Sequence, residues 1–131
     1  MTKIFKRLFI LITFIAFISC SDDEASDCSP ELTEISGASL GTYTGLLTLN
    51  GTEVFNQNGT ATLVETSCKT YRVDFSDDVS SIEGVTFIAN SDNTVFTYTN
   101  SNATTTVVID DEGDLSISQT VSSLIVFTGS K

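Results

Sequence analysis

The feature that most constrains the fold is an alternation of apolar and polar residues in short segments from Thr42 onward. In the clearest segment, Lys69–Phe75, the alternation predicts that Tyr71, Val73 and Phe75 face inward and the residues between them outward. A period of two is typical of a strand with one buried face. No helical period appears between these segments, which argues against a parallel sheet with crossover helices and predicts an antiparallel all-β domain.

Turn residues separate the segments roughly every 8 to 12 residues and predict about eight short strands. They include Asn50-Gly51, Asn58-Gly59, Glu83-Gly84, residues 90–93 and residues 100–102. Short links between consecutive strands favour an antiparallel meander, and a meander of this size protects its edges by closing into a small barrel. A β-sandwich is the alternative fold.

The first residues of the chain have the three parts of a secretory signal peptide. Lys3, Lys6 and Arg7 form a positively charged head, and the apolar stretch Leu8–Ile18 is followed by the small residue Ser19. A transmembrane helix needs about 18 or more apolar residues, so this stretch is too short for a permanent span. We therefore expect residues 1–19 to be removed; an uncut anchor helix is the alternative.

Two short motifs follow the apolar stretch. Phe17-Ile18-Ser19-Cys20 resembles the lipobox of bacterial lipoproteins, and Ser21-Asp22-Asp23-Glu24 resembles the acidic export tag of Bacteroidetes-type surface lipoproteins. The resemblance implies that Cys20 is lipid-modified and becomes the first mature residue. It also implies an outer-membrane lipoprotein that is held in the cell envelope by its lipid anchor, and the alternatives for the domain are a surface-exposed and a periplasmic position. Residues 20–36 then form an acidic tether, and residues 37–131 form a single β domain.

The opening strand of that domain, Gly41-Thr42-Tyr43-Thr44-Gly45, is followed by repeated hairpins. This pattern resembles the lipocalin-like (calycin) small β-barrels found in bacterial lipoproteins. The resemblance implies a barrel fold. It carries no ligand over to this chain, because the Gly-x-Trp signature of lipocalins is absent and the sequence contains no Trp.

The mature chain is strongly acidic. Removal of the signal peptide leaves three of the six basic residues against all 17 acids, a net charge of 3 − 17 = −14. Such a charge argues against binding to nucleic acid or to anionic lipid headgroups. It suits a soluble extracytoplasmic domain or a cationic partner protein.

Three cysteines are present, and lipidation of Cys20 leaves Cys28 and Cys68 as an even pair. Exported proteins occupy oxidising compartments, so we predict a disulfide between them, with two free thiols as the alternative. The bond would close a loop of about 40 residues, worth about 4 kcal/mol in the chain-entropy model. We expect no metal site, since the chain has no His and no CxxC spacing.

The absence of His excludes a His-based triad or general base, and we expect neither catalytic residues nor a cofactor. Asp77-Asp78 and Asp110–Asp114 remain as candidate carboxylate pairs for glycoside hydrolysis, and the second run as a Ca²⁺ loop. Both lie between predicted strands, where solvated acids are ordinary turn residues. The interpretation as turns is favoured.

Two functions remain open. The first is a non-catalytic binding module for a small apolar or amphipathic ligand, lined by the aromatic residues Tyr43, Tyr71, Phe87, Phe96 and Tyr98. The alternative for these aromatics is that they fill the core of a small barrel. The second function is a surface interaction protein, an adhesin or an inhibitor of a cationic protein, that acts through an acidic outer face.

Overall fold

The computed structural model describes Cys28 and residues 30–50, 53–121 and 123–131. The predicted signal peptide (1–19), the lipidation site Cys20 and most of the predicted tether lie outside the described residues. Within the described part, no helix is long and apolar enough to cross a bilayer.

The domain is all-β and antiparallel, as the alternation predicts. A short 3-10 helix, Gly37–Ser39, precedes nine strands. The strands are β1 (Gly41–Leu49), β2 (Glu53–Ser67), β3 (Thr70–Phe75), β4 (Ile82–Val85), β5 (Ile88–Ala89), β6 (Phe96–Thr99), β7 (Thr105–Ile109), β8 (Leu115–Gln119) and β9 (Ile125–Ser130).

All nine strands form one curled sheet in the order β4-β3-β2-β1-β9-β8-β7-β6-β5. The first and last strands of the chain, β1 and β9, are paired in its middle. The two sheet edges are β4 and β5, which are consecutive in the chain and separated only by Thr86 and Phe87. One continuous segment, residues 82–89, therefore pairs first with β3 and then with β6. The sheet curls like a barrel with a seam inside this segment, which leaves little free edge.

The core is built from the inward positions of the alternating strands. Tyr71 and Val73 are buried, and Phe75 is half-buried, with its ring 6.3 Å from that of Phe127. Arg72 and Asp74 lie on the outer face and form an ion pair, so the predicted faces of β3 are confirmed. The other largest fully buried side chains share the inward positions of their strands or the β4–β5 segment: Tyr43, Leu47, Leu63, Val85, Phe87, Val107, Ile109, Leu115 and Phe127.

Two predicted turns are wrong, and the reason is the same at both. Asn58-Gly59 lies inside the 15-residue strand β2, and Glu83-Gly84 lies inside β4. Each glycine sits where the pairing register shifts, so these residues make bulges rather than hairpin turns. Gly59 allows close packing, because a Cβ atom there would lie 2.7 Å from the Cβ of Leu47. A local dipeptide signal cannot distinguish this need for space from a turn.

Three later loops share one construction at a spacing of ten residues. Asn90, Asn100 and Asp110 each accept backbone N–H hydrogen bonds through the side-chain oxygen from the residue four positions later. The fourth residue of each loop, Asn93, Ala103 or Gly113, has positive φ. The predicted turns at residues 90–93, 100–102 and 110–114 are confirmed.

The N-terminal segment covers one end of the barrel. Thr33 pairs with Phe87, and the backbone N–H of Ile35 donates to the hydroxyl of the buried Tyr71. Ile35 itself is 4% exposed and belongs to the core. Residues 33–36, assigned to the tether from the sequence, therefore pack on the domain.

The side chain of Lys131 fastens the same end. Its ammonium group donates to the carbonyl oxygens of Ala38 and Leu40 and lies 5.0 Å from the centre of the Tyr43 ring. The structure also joins Cys28 to Cys68, with Cα atoms 5.6 Å apart, which supports the predicted disulfide. We call this covered end the closed end.

Candidate ligand site at the open end of the barrel

The opposite end of the barrel, which we call the open end, carries the connections after β1, β3, β6 and β8. The pairing register places the connections after β1, β6 and β8 side by side, because Leu49 pairs with Ile125, Gln119 with both Ile125 and Thr105, and Thr99 with Thr106. The connection after β3 meets those after β1 and β8 around a shared cleft. The mouth of a barrel is a common place for a ligand site.

A cleft of about 350 Å³ lies at the open end. Its size is at the lower end of the range of small-ligand sites, roughly 300 to 1,000 Å³. It is formed by the end of β1, the loop between β3 and β4, and the connection from β8 to β9. Its apolar lining comprises Leu49, Val79, Val121 and Ile125, and its polar lining comprises Asp77, Asp78, Ser80, Ser81, Gln119 and Ser123.

The base of the β3–β4 loop is fixed by hydrogen bonds to β2. The Ser76 hydroxyl accepts from the backbone N–H of Thr60 at 3.0 Å and donates to the Asp77 carboxylate at 2.6 Å. Asn56 donates to the same carboxylate oxygen at 2.8 Å. These hydrogen bonds from Ser76 and Asn56 lower the pKa of Asp77 below its ordinary value. The residues around the β2 bulge thus hold one wall of the cleft.

Asp78 differs from its neighbour. Both residues have positive φ, 62° for Asp77 and 58° for Asp78, a conformation that Asp tolerates better than most residues. Asp78 is exposed, lines the cleft and makes no hydrogen bond with another described side chain. Its carboxylate is therefore available to a ligand.

The described basic residues lie away from the cleft. Lys69 is in the turn between β2 and β3 at the closed end, where Lys131 also lies. Arg72 is on the outer face of β3 and makes a two-pronged contact with Asp74, at 2.8 and 2.9 Å. The cleft lining therefore contains two carboxylates and no cationic side chain.

The five aromatic residues predicted to line a ligand site lie elsewhere. Tyr43, Tyr71 and Phe87 are at most 1% exposed, and Phe96 and Tyr98 are half-buried against the core. Burial raises the pKa of the hydroxyls of Tyr43 and Tyr71. None of the five lines the cleft at the open end. The structure brings them together as core packing.

A shallower groove of about 200 Å³ lies on the outer wall across β7, β8 and β9. The outward positions of β6 to β9 and of β1 carry no charge: Thr97, Thr99, Thr106, Val108, Ser116, Ser118, Val126, Thr128, Ser130, Thr42, Thr44, Leu46 and Thr48. The described acids lie in turns, in the N-terminal segment or on β2 to β4. The wall is neutral over most of its width, and the negative charge is concentrated elsewhere.

The second carboxylate cluster forms a turn. The Asp110 carboxylate accepts hydrogen bonds from the backbone N–H groups of Glu112, at 3.1 Å, and Asp114, at 2.8 Å. No group of three or more potential metal-ligating side chains occurs among the described residues. The predicted pair Asp77-Asp78 also lies in a loop, and that loop borders the cleft.

Most residues of the cleft had no signal in the sequence. Asp77 and Asp78 were recognisable as a carboxylate pair, but Leu49, Val121 and Ile125 are strand ends and loop residues whose proximity depends on the pairing of β1 with β9.

Comparison of the chain with protein-family models, with curated proteins and with solved structures gives no match.

Proposed function

We propose that this chain is a lipid-anchored extracytoplasmic binding module that takes a small amphipathic ligand into the cleft at the open end. The observation that carries the proposal is the cleft itself, about 350 Å³ in volume and lined by both aliphatic and polar side chains. The role is non-catalytic and the location is the outer membrane, with the domain facing the cell surface.

The position of the cleft relative to the anchor supports this role. The chain enters the domain at the closed end, where Cys28 is joined to Cys68 and residues 33–40 cover the barrel. The cleft is at the other end, so lipidation of Cys20 would leave its mouth directed away from the membrane. A ligand would then reach it from the surrounding solution.

The lining supports an amphipathic rather than a purely apolar ligand. Leu49, Val79, Val121 and Ile125 offer aliphatic contact, and each buried CH₂ group of a ligand would contribute about 0.8 kcal/mol. The serines, Gln119 and the two aspartates offer hydrogen-bonding groups beside it. The interior of the barrel is filled by side chains such as Tyr43, Tyr71 and Phe127, so the ligand would sit in the mouth.

The alternative, an interaction protein with an acidic outer face, receives less support. The wall formed by β6 to β9 and β1 presents hydroxyl and methyl groups without charge. A cationic partner protein would have to bind through the turns, through the N-terminal segment or through the outer face of β3 and β4, where Asp74 and Glu83 lie.

Tryptophan reporters test the proposal, because the sequence contains no Trp. Val121→Trp places one at the mouth of the cleft, and Ile88→Trp places one on β5; both positions are exposed, at 48% and 66%. Octyl glucoside, a neutral amphiphile, serves as the probe below its micelle-forming concentration. We expect a saturable change in emission from Trp at position 121 and none from Trp at position 88.

Equal responses at the two positions, or a linear response without saturation, would indicate non-specific adsorption and contradict the proposal. Methyl NMR spectra of the unmodified domain provide the check without a reporter: the signals of Leu49, Val79 and Ile125 should shift together. Native mass spectrometry of the domain purified from its own host would identify the natural ligand.

A further inference from the structure

We infer that the ligand of the open-end cleft is a cationic amphiphile, a molecule that joins a short aliphatic part to an ammonium group. The inference rests on the proposed function and specifies the chemical class of ligand that the same cleft selects. Two observations carry it together: the mixed aliphatic and carboxylate lining, and the placement of every described basic residue away from the mouth.

The two carboxylates have different roles. Asp77 accepts hydrogen bonds from Ser76 and Asn56 and is committed to holding the β3–β4 loop. Asp78, next to it, is exposed at the cleft and free of such bonds. Asp78 is therefore the group that would contact the ammonium. Asp77 holds the loop that carries Asp78 and adds a second negative charge nearby.

The aliphatic part has its own surface. Leu49 and Ile125 are paired across β1 and β9 and form the floor of the cleft, and Val121 stands exposed at its rim. An alkyl chain of a few carbons can lie on this floor while its charged end meets the β3–β4 loop. A loop of acids without the aliphatic floor would attract any cation; the combination selects an amphiphile.

The distribution of charge also disfavours the opposite class of ligand. A fatty acid would bring its carboxylate beside Asp77 and Asp78, and neither Lys69, Arg72 nor Lys131 lines the cleft. Like charges at close range disfavour binding, whereas an opposite charge favours it, and both effects weaken as salt is added. The negative net charge of the mature chain also favours a cationic ligand over an anionic one.

Three amphiphiles with the same chain length separate these cases: octylammonium, octyl glucoside and octanoate, each below its micelle-forming concentration. The protein is the chain from Ser21 to Lys131, which contains the whole sheet, the core and the disulfide. Isothermal titration should give affinities in the order octylammonium, octyl glucoside, octanoate. We expect about a ten-fold range between the first and the last at low salt. Raising the salt from about 0.05 to about 0.5 M should reduce that range.

Matched variants assign the effect to the cleft. Asp78→Asn keeps the side-chain shape and the tolerance of positive φ, and it should weaken octylammonium binding about three- to ten-fold without changing octyl glucoside binding. Asp111→Asn removes the same charge from an exposed turn at the closed end and should change neither. Ser123→Lys, at an exposed position of the lining, should reverse the preference towards octanoate.

The outcomes distinguish the inference from the function on which it rests. If none of the three amphiphiles binds, the proposed function is wrong and the inference falls with it. If octyl glucoside or octanoate binds as tightly as octylammonium, the cleft is a ligand site but the inferred class is wrong. An equal effect of Asp78→Asn and Asp111→Asn would mean that only the net charge matters, and it would overturn the assignment to Asp78. If Asp78→Asn loses its folded circular dichroism spectrum, Ser123→Lys provides the test in its place. A preference of that variant for octanoate over octylammonium supports the inference, and an unchanged preference contradicts it.

Discussion

A close approach of β1 and β9 at Gly45 gives a sharp test of the barrel. Gly45 on β1 lies opposite Gly59 on β2 and Gly129 on β9, so three glycines form a row across three strands. A Cβ atom at Gly45 would overlap the carbonyl oxygen of Thr128 and the Cα of Gly129. The obstructing atoms belong to the backbone, so no change of rotamer relieves the contact. Gly45→Ala must therefore separate β1 from β9.

The expected cost follows from this geometry. Overpacking against side chains costs about 1 to 3 kcal/mol, and separation of the strands also weakens backbone hydrogen bonds worth about 0.5 to 1.5 kcal/mol each. Loss of two such bonds brings the total to about 2 to 6 kcal/mol. The described domain of roughly 100 residues has a free energy of unfolding of about 5 to 15 kcal/mol, so Gly45→Ala should remove a large fraction of it.

Urea denaturation followed by circular dichroism measures this loss, and two alanine variants serve as controls. Gly37→Ala meets no atom within 4 Å and should change the free energy of unfolding by less than about 0.5 kcal/mol. Gly113→Ala also meets open space but has a φ of 85°, so it should cost about 1 to 2 kcal/mol from backbone conformation alone. If Gly45→Ala costs no more than Gly113→Ala, the close pairing of β1 with β9 is wrong.

Four further predictions concern single features. Ala103 has a φ of 53° in the fourth position of its loop, a conformation that glycine adopts more readily than alanine. Ala103→Gly should therefore stabilise the domain by about 1 kcal/mol and raise its Tm by about 4 to 8 °C. An unchanged or lower Tm would contradict the loop geometry. Hydrogen bonds lower the pKa of Asp77 below its ordinary value of 3.8, so its ionised form stabilises the domain above that pH and the stabilisation is lost as the pH falls through the lowered pKa. The difference in Tm between the parent and Asp77→Asn should therefore close in that range. A difference that does not depend on pH would refute this. Alkylation without reductant should modify neither Cys28 nor Cys68, and two alkylated thiols would exclude the bond. Reduction of the bond should lower the free energy of unfolding by up to about 4 kcal/mol. Cys20→Ser should yield an unprocessed or soluble protein, and membrane association of a cleaved variant would argue against lipid anchoring.

Local alternation was sufficient to predict the class of fold. A strand with one buried face must place apolar residues at every second position, so Lys69–Phe75 indicated both the strand and its inward residues before any partner strand was known. The turns at residues 90–93, 100–102 and 110–114 were equally local, because each depends on an Asx side chain that bonds to its own loop. The signal peptide and lipobox are also read directly from adjacent residues, and they remain predictions.

Gly59, Gly84 and the open-end cleft required the tertiary structure. The sequence determined that this chain forms antiparallel strands and which of their faces are apolar. It also showed that Cys28 and Cys68 are available to pair. These properties belong to single segments or to residue counts. Only the curled sheet decided that two glycines mark bulges, that the aromatic residues fill the core, and that Leu49, Asp78 and Ile125 meet around one cleft. The physical reason is that these outcomes depend on which strands become neighbours, and β1 meets β9 across nearly the whole length of the domain.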